Sequence, residues 1–186
     1  MAEPSATPTF QFSGNGKFKR EDSVIMFNSK LISADENGLV FDEENPAWLP
    51  IGEDNDELTR ETNNESDSKK NVLGRVNIDS TKGAETMEVD PIAIRANDTL
   101  SYILYMAYKY GLVGDKVRMQ FLDVTYADKQ GEKTYGAFIE HGIPDLTSWG
   151  GDTSKLSSPM KINFENDKVH GTFSTTNNTF TETTIA

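Results

Sequence analysis

The sequence predicts a mainly β domain: a two-sheet β-sandwich or partly closed barrel flanked by one α-helix, with a long projecting loop and terminal arms. Short apolar runs recur along the chain, many alternating with polar residues, and Gly, Asn and Asp turns separate them. Only residues 98–110 combine helical length with capping residues at both ends. Residues 35–67 behave differently from either. They hold twelve acids against one base, Arg60, and so carry eleven of the chain's twelve net negative charges.

Residues 1–22 read as an N-terminal arm, with Pro4, Pro8, Gly14 and Gly16 among small polar residues. Phe10, Phe12 and Phe18 make it too apolar for a spacer, and Lys17, Lys19 and Arg20 give it a basic patch. The domain proper is expected over 23–175, opening with a short apolar strand at 24–28. A turn with Gly38 leads to LVF at 39–41.

Within the acidic stretch, residues 46–52 (PAWLPIG) form an apolar island whose prolines exclude a helix and favour extended or edge geometry. Residues 57–63 alternate weakly, as a strand would. Residues 63–71 (NNESDSKKN) contain nothing apolar and read as a mobile loop. The whole of about 43–70 is therefore expected to project. Beyond it, 72–78 and 84–89 predict a strand pair joined by the DSTKG turn, with Gly83 supplying a positive φ.

The helix follows, DTLSYILYMAYKY. Asn97 or Asp98 suits its N-cap, Gly111 a left-handed C-terminal residue, and Lys109 the negative end of its dipole. It is apolar on almost every side, so one side covers the sheet and another needs a cover. Tyr102, Tyr105 and Tyr108 suit a contact with another subunit, an apolar body with a wet tip. The alternative is that the domain covers the helix itself.

After Gly114, residues 116–126 alternate and then slip register near 122–124, as a bulge would make them. The turn ADKQGEK returns the chain through 134–141. Residues 143–156 predict a loop around Trp149, and 159–165 with 168–175 a closing hairpin. Residues 176–186 read as a C-terminal arm. No repeat of fixed period is present.

At 186 residues the chain can build a full core. Having no cysteine, it can form neither disulfides nor thiolate metal sites. MAEPSATPTFQFSGNG has neither the basic start nor the apolar run of a signal peptide, and no window approaches a membrane span. A net charge of −12 disfavours adhesion to nucleic acid or anionic lipid.

Motifs for catalysis are missing, so a non-enzyme with no cofactor and no metal is expected. His141 and His170 sit in strand-like contexts without ligands at useful spacing, and neither a nucleophile elbow nor a phosphate loop is present. The run 53–57 lacks the spacing and loop glycine of a calcium loop, so a solvated acidic turn is expected. Sequons at Asn64, Asn97 and Asn177 carry no weight in an Asn/Thr-rich chain.

The order of a projecting segment, then VLGRVNIDSTKGAETMEVDPIAIRANDTLSYILYMAYKYG, then MKINFENDKVHGTFST, resembles the major tail (tail tube) proteins of long-tailed bacteriophages. The likeness spans most of residues 24–175. It implies a sandwich flanked by a helix, with six copies closing a ring and rings stacking into a hollow tube through which DNA is ejected. It implies as partners the chain itself, other tail proteins (tape measure, terminator, distal tail) and DNA that passes without specific binding, with no membrane. Localisation would be the virion, after assembly in the host bacterial cytoplasm. The same fold serves contractile tails and type VI secretion tubes.

Under this resemblance the acids of 35–67 either face the lumen or reach the neighbouring ring. In the second case Trp48, Leu49 and Ile51 are the apolar anchor, Asp54, Asp56 and Glu57 the acids, and Lys69 and Lys70 lie near the loop's base. Lys17, Lys19 and Arg20 would mate with acids of the next subunit, and Phe10 and Phe12 would be further contacts of the same arm. Two other readings are a carbohydrate-binding or adhesin-type sandwich, stacking sugars on Trp48 or Trp149, and a capsid-decorating or head–tail connector protein.

Overall fold

The computed structural model describes residues 17–183 apart from 53, 54, 56, 57 and 91. Phe10, Phe12, Asp54, Asp56 and Glu57 thus lie outside the described residues, as does the Arg20 side chain. In chain order the strands are β1 (Ser23–Asn28), β2 (Leu31–Asp35), β3 (Gly38–Phe41), β4 (Trp48–Pro50), β5 (Arg60–Glu61), β6 (Glu65–Lys70), β7 (Val76–Thr81) and β8 (Thr86–Val89). The helix α1 (Thr99–Tyr110) intervenes. Then come β9 (Met119–Gly131), β10 (Thr134–Leu146), β11 (Gly150–Gly151), β12 (Leu156–Ser157), β13 (Met160–Phe164), β14 (Val169–Ser174) and β15 (Thr179–Glu182).

Nine strands share one curled sheet, a partly closed barrel running β4-β1-β9-β10-β13-β8-β5. It branches at β10, whose first half pairs with β14 and whose second half pairs with β13; β15 extends the β14 branch. Three two-stranded ribbons, β2–β3, β6–β7 and β11–β12, complete the fold. No helix among the described residues is long and apolar enough to cross a membrane.

The curled sheet is apolar on both faces. On one, Ile25, Phe27, Met119 and Phe121 pack against Ile103, Leu104 and Ala107 of α1. On the other, Met26, Leu122 and Val124 meet Trp48, Ala137 and Phe173, with Phe180 at the margin. Double coverage explains the irregular pattern at 116–126. β1 and β9 pair without a break from Ser23↔Thr125 to Phe27↔Phe121, so no slip occurs at 122–124. A strand buried on both faces loses its alternation. The register shift lies further on, where Tyr135 faces Lys129 but Gly136 faces Thr125.

The helix forms as its caps require. Asp98 accepts a hydrogen bond from the Ser101 backbone N–H at 2.9 Å, and Gly111 takes φ +60° with its own N–H closing on the last turn.

Four other expectations are corrected. Residues 63–71 are no mobile loop: β6 pairs with β7 over six residue pairs, from Glu65↔Thr81 to Lys70↔Val76. The pairing of 72–78 with 84–89 is accordingly replaced, since β8 runs between β13 and β5 instead. The stretch 143–156 begins as strand, because β10 continues to Leu146; past Gly142 it has β13 on one side alone, where Pro144 needs no second donor. Residues 179–182 are not a free arm but the strand β15.

Candidate interaction surface

The β6–β7 hairpin stands away from the body. Every residue from 61 to 82 is exposed, yet six cross-strand pairs hold the two strands together. Its turn is fixed by Asn71, whose side-chain oxygen accepts from the N–H groups of Leu73 and Arg75, both at 3.0 Å. Gly74 takes φ +75° at the turn. Strand alternation puts Val76 and Ile78 on one face and Glu65, Asp67, Lys69 and Asp79 on the other. Asp67 lies directly opposite Asp79, a like-charge pair that weakens the ribbon, relieved in part by Lys69 at 3.1 Å from Asp67. At the tip, Val72 is wholly exposed and Leu73 76% exposed.

The root of this hairpin is clamped. The Asn63 amide donates to the Ala84 carbonyl at 2.8 Å and to the Thr86 hydroxyl at 3.1 Å, and Gly83 N–H donates to the Asn64 side chain at 3.1 Å. Gly83 is needed for closeness, not for a positive φ: an added Cβ would lie 1.8 Å from the Asn63 carbonyl oxygen. Just behind, Arg60 binds Glu85 (Nε to Oε2, 2.5 Å) and also Glu140, which is 1% exposed. Its guanidinium carbon sits 3.8 Å over the Phe164 ring. Lys168 completes the group at 2.8 and 2.9 Å from the Glu85 carboxylate. Burial pushes the Glu85 carboxyl up, but Lys168 and Arg60 outweigh it and hold it below the ordinary value.

A second exposed surface is the outer side of α1. Tyr102, Tyr105 and Tyr108 recur every third residue and each remains about half exposed. Trp149 lies against this side, stacked on Tyr108 at 4.7 Å and 7°, and tilted to Tyr105 at 6.1 Å. The candidate sugar platform thus has one face already occupied.

Of the expected interface residues, Lys69 and Lys70 lie on the hairpin, and Leu49 is exposed on the edge strand β4. Trp48 and Ile51 are instead buried, one in each apolar core. They sit in the body because β4 pairs with β1, Trp48 opposite Asn28. The expected 43–70 loop is therefore divided, and what projects is the β6–β7 hairpin. Lys17 and Lys19 are exposed, and Lys19 pairs with Glu21 beside it at 3.1 Å.

A charge cluster that no motif in the sequence announces gathers Glu43 of the acidic stretch. Arg118 binds Glu165 with two nitrogens (2.9 and 3.0 Å) and comes within 4.0 Å of Glu43. His141 Nδ1 lies 2.5 Å from Asp167, and its Nε2 lies 3.6 Å from Glu43. The contacting pairs are 26 to 98 positions apart, which leaves no local signal for such a cluster. His141, Glu165 and Asp167 could each turn an atom to a common ion. Arg118 already pairs with Glu165 at 2.9 Å and comes within 3.8 Å of Asp167.

No family model matches the sequence, and no curated protein matches it significantly. One similar solved structure is a chain in the cryo-EM structure of the anti-feeding prophage (AFP) baseplate, 6-fold symmetrised. The likeness has a TM-score of 0.42 at 10% identity, covering 87% of this chain and 97% of that one.

Proposed function

We propose that this chain is a structural, non-enzymatic subunit of a phage-type tail, which self-assembles into stacked hexameric rings around a lumen that DNA traverses without specific binding. The observation that carries the reading is the β6–β7 hairpin, folded and clamped at its root but without a core. An isolated two-stranded ribbon is marginal in water, and an exposed apolar tip is a liability unless a partner covers it. The tyrosine side of α1 offers a second surface of the kind interfaces use. The sequence resemblance to tail tube proteins supplies the particular assembly, and with it the partners: further copies and other tail proteins, in the virion.

Negative-stain microscopy with sedimentation velocity, over a concentration series of the purified chain, tests the proposal. Rings or hollow rods that grow with concentration are expected. A monodisperse monomer at every concentration would overturn it.

A further inference from the structure

The hairpin tip and one groove elsewhere on the body are opposite in charge and alike in being apolar. From 68 to 76 the tip carries Lys69, Lys70 and Arg75 with no acid, around exposed Val72, Leu73 and Val76. On a chain of net charge −12 this is a local reversal of sign. The groove, about 630 Å³, lies between β3 and the 3-10 turn Gly114–Val117. Its apolar wall includes exposed Ile32 and Val40. Its lining carries four acids, Asp42, Glu43, Glu44 and Asp115, and one base, Arg118. Asp42 is engaged by Lys30 at 2.8 Å and Glu43 lies near Arg118, while Glu44 and Asp115 have no ion pair among the described residues.

We infer that the tip of one copy seats in this acid-rimmed groove of a second copy, Val72 and Leu73 against Ile32 and Val40, and Lys69, Lys70 and Arg75 against Glu44 and Asp115. The pairing rests on the self-assembly reading above and gives it a specific contact. Six-residue strands carry the tip on the order of 20 Å from its root, and no residue of the tip is buried against its own chain. Tip and groove are different surfaces, so the contact is head-to-tail and closes into rings or propagates into filaments. Opposite charge steers the encounter and sets its register, while the apolar residues hold it.

The chain has no cysteine, so single cysteines report the contact directly. A Leu73→Cys form and a Val40→Cys form, distinguished in mass by a tag, are mixed and oxidised. A Leu73→Cys form mixed with Val169→Cys, an exposed site on β14, is the control. Selective product from the first mixture is expected, falling about tenfold from low to high salt, as steered association does. Lys69→Glu with Lys70→Glu in the tip partner should abolish it. Adding Glu44→Lys and Asp115→Lys to the groove partner should restore it; each variant's melting temperature verifies folding.

Equal product in both mixtures overturns the pairing. If rings or rods still form in the wild type, the self-assembly reading survives that loss. If the wild type forms open head-to-tail oligomers without rings or hollow rods while the selective product appears, the ring reading fails and the pairing stands. Flotation with phosphatidylserine vesicles that depends on Lys69 and Lys70, without selective cross-linking, would assign the tip to a lipid surface and overturn the pairing.

Discussion

Arg60 is the single base among the twelve acids of 35–67, yet it serves two carboxylates from other parts of the chain, Glu85 and Glu140. The sequence offers no hint of this, because the partners lie 25 and 80 positions away and none of the three has a local motif. Glu85 makes the arrangement testable. Its carboxyl sits below the ordinary 4.5, so in the folded state it favours the ionised form. The stability it contributes is present above that value and is lost as pH falls through the lower, folded-state one. Melting temperature should therefore drop on acidification below about pH 4.5. Glu85→Gln should lower stability at neutral pH by about 1.5–3 kcal/mol, the worth of hydrogen bonds to a charged group. It should also flatten the acid limb of the Tm–pH curve. An acid limb as steep in the variant as in the wild type would show that other carboxylates dominate.

Helix α1 and hairpin β6–β7 lie at opposite ends of legibility. The helix could be placed to within a residue because its caps are local chemistry: Asp98 at one end, Gly111 at the other. Asp98→Ala removes the acceptor for the Ser101 N–H and should cost about 1 kcal/mol. For a chain of this size that is a fall of about 2–4 °C in Tm, read by circular dichroism or calorimetry. Asp98→Asn, which keeps an acceptor, should lose much less. A drop as large for Asn as for Ala would point to the Asp98 charge, not the cap. The hairpin, by contrast, is wet on both faces, so ESDSKK has no buried side to impose alternation and reads as loop. Its turn chemistry, Asn71 to Gly74, was present in the sequence. The apolar run VLGRVNI masks it, because Val72 and Leu73 are the apolar tip and not strand interior.

At the scale of the molecule, the fold class was legible and the strand partners were not. Alternation tells which residues can face a core, but a sheet covered on both faces and branched at β10 gives no local sign of which strand lies next to which. The difference decides what can be removed. Cutting 44–70 would take Trp48 and Ile51 out of the two cores and Arg60 away from Glu140, so it would damage the body. Removing 65–81 alone is another matter. None of those residues is buried, and the ends to be rejoined already touch, through Gly83 N–H and the Asn64 side chain. Replaced by a short Gly-Ser turn, the hairpin should take with it little or none of the body's stability, since it buries no apolar area there. The Tm should stay within about 2–4 °C of the wild type, the shift that 1 kcal/mol produces. Sedimentation of the same variant should show that it no longer assembles. A large fall in Tm would mean that the hairpin braces its own domain, whereas an unchanged Tm with intact rings would move the assembly contact to the tyrosine side of α1.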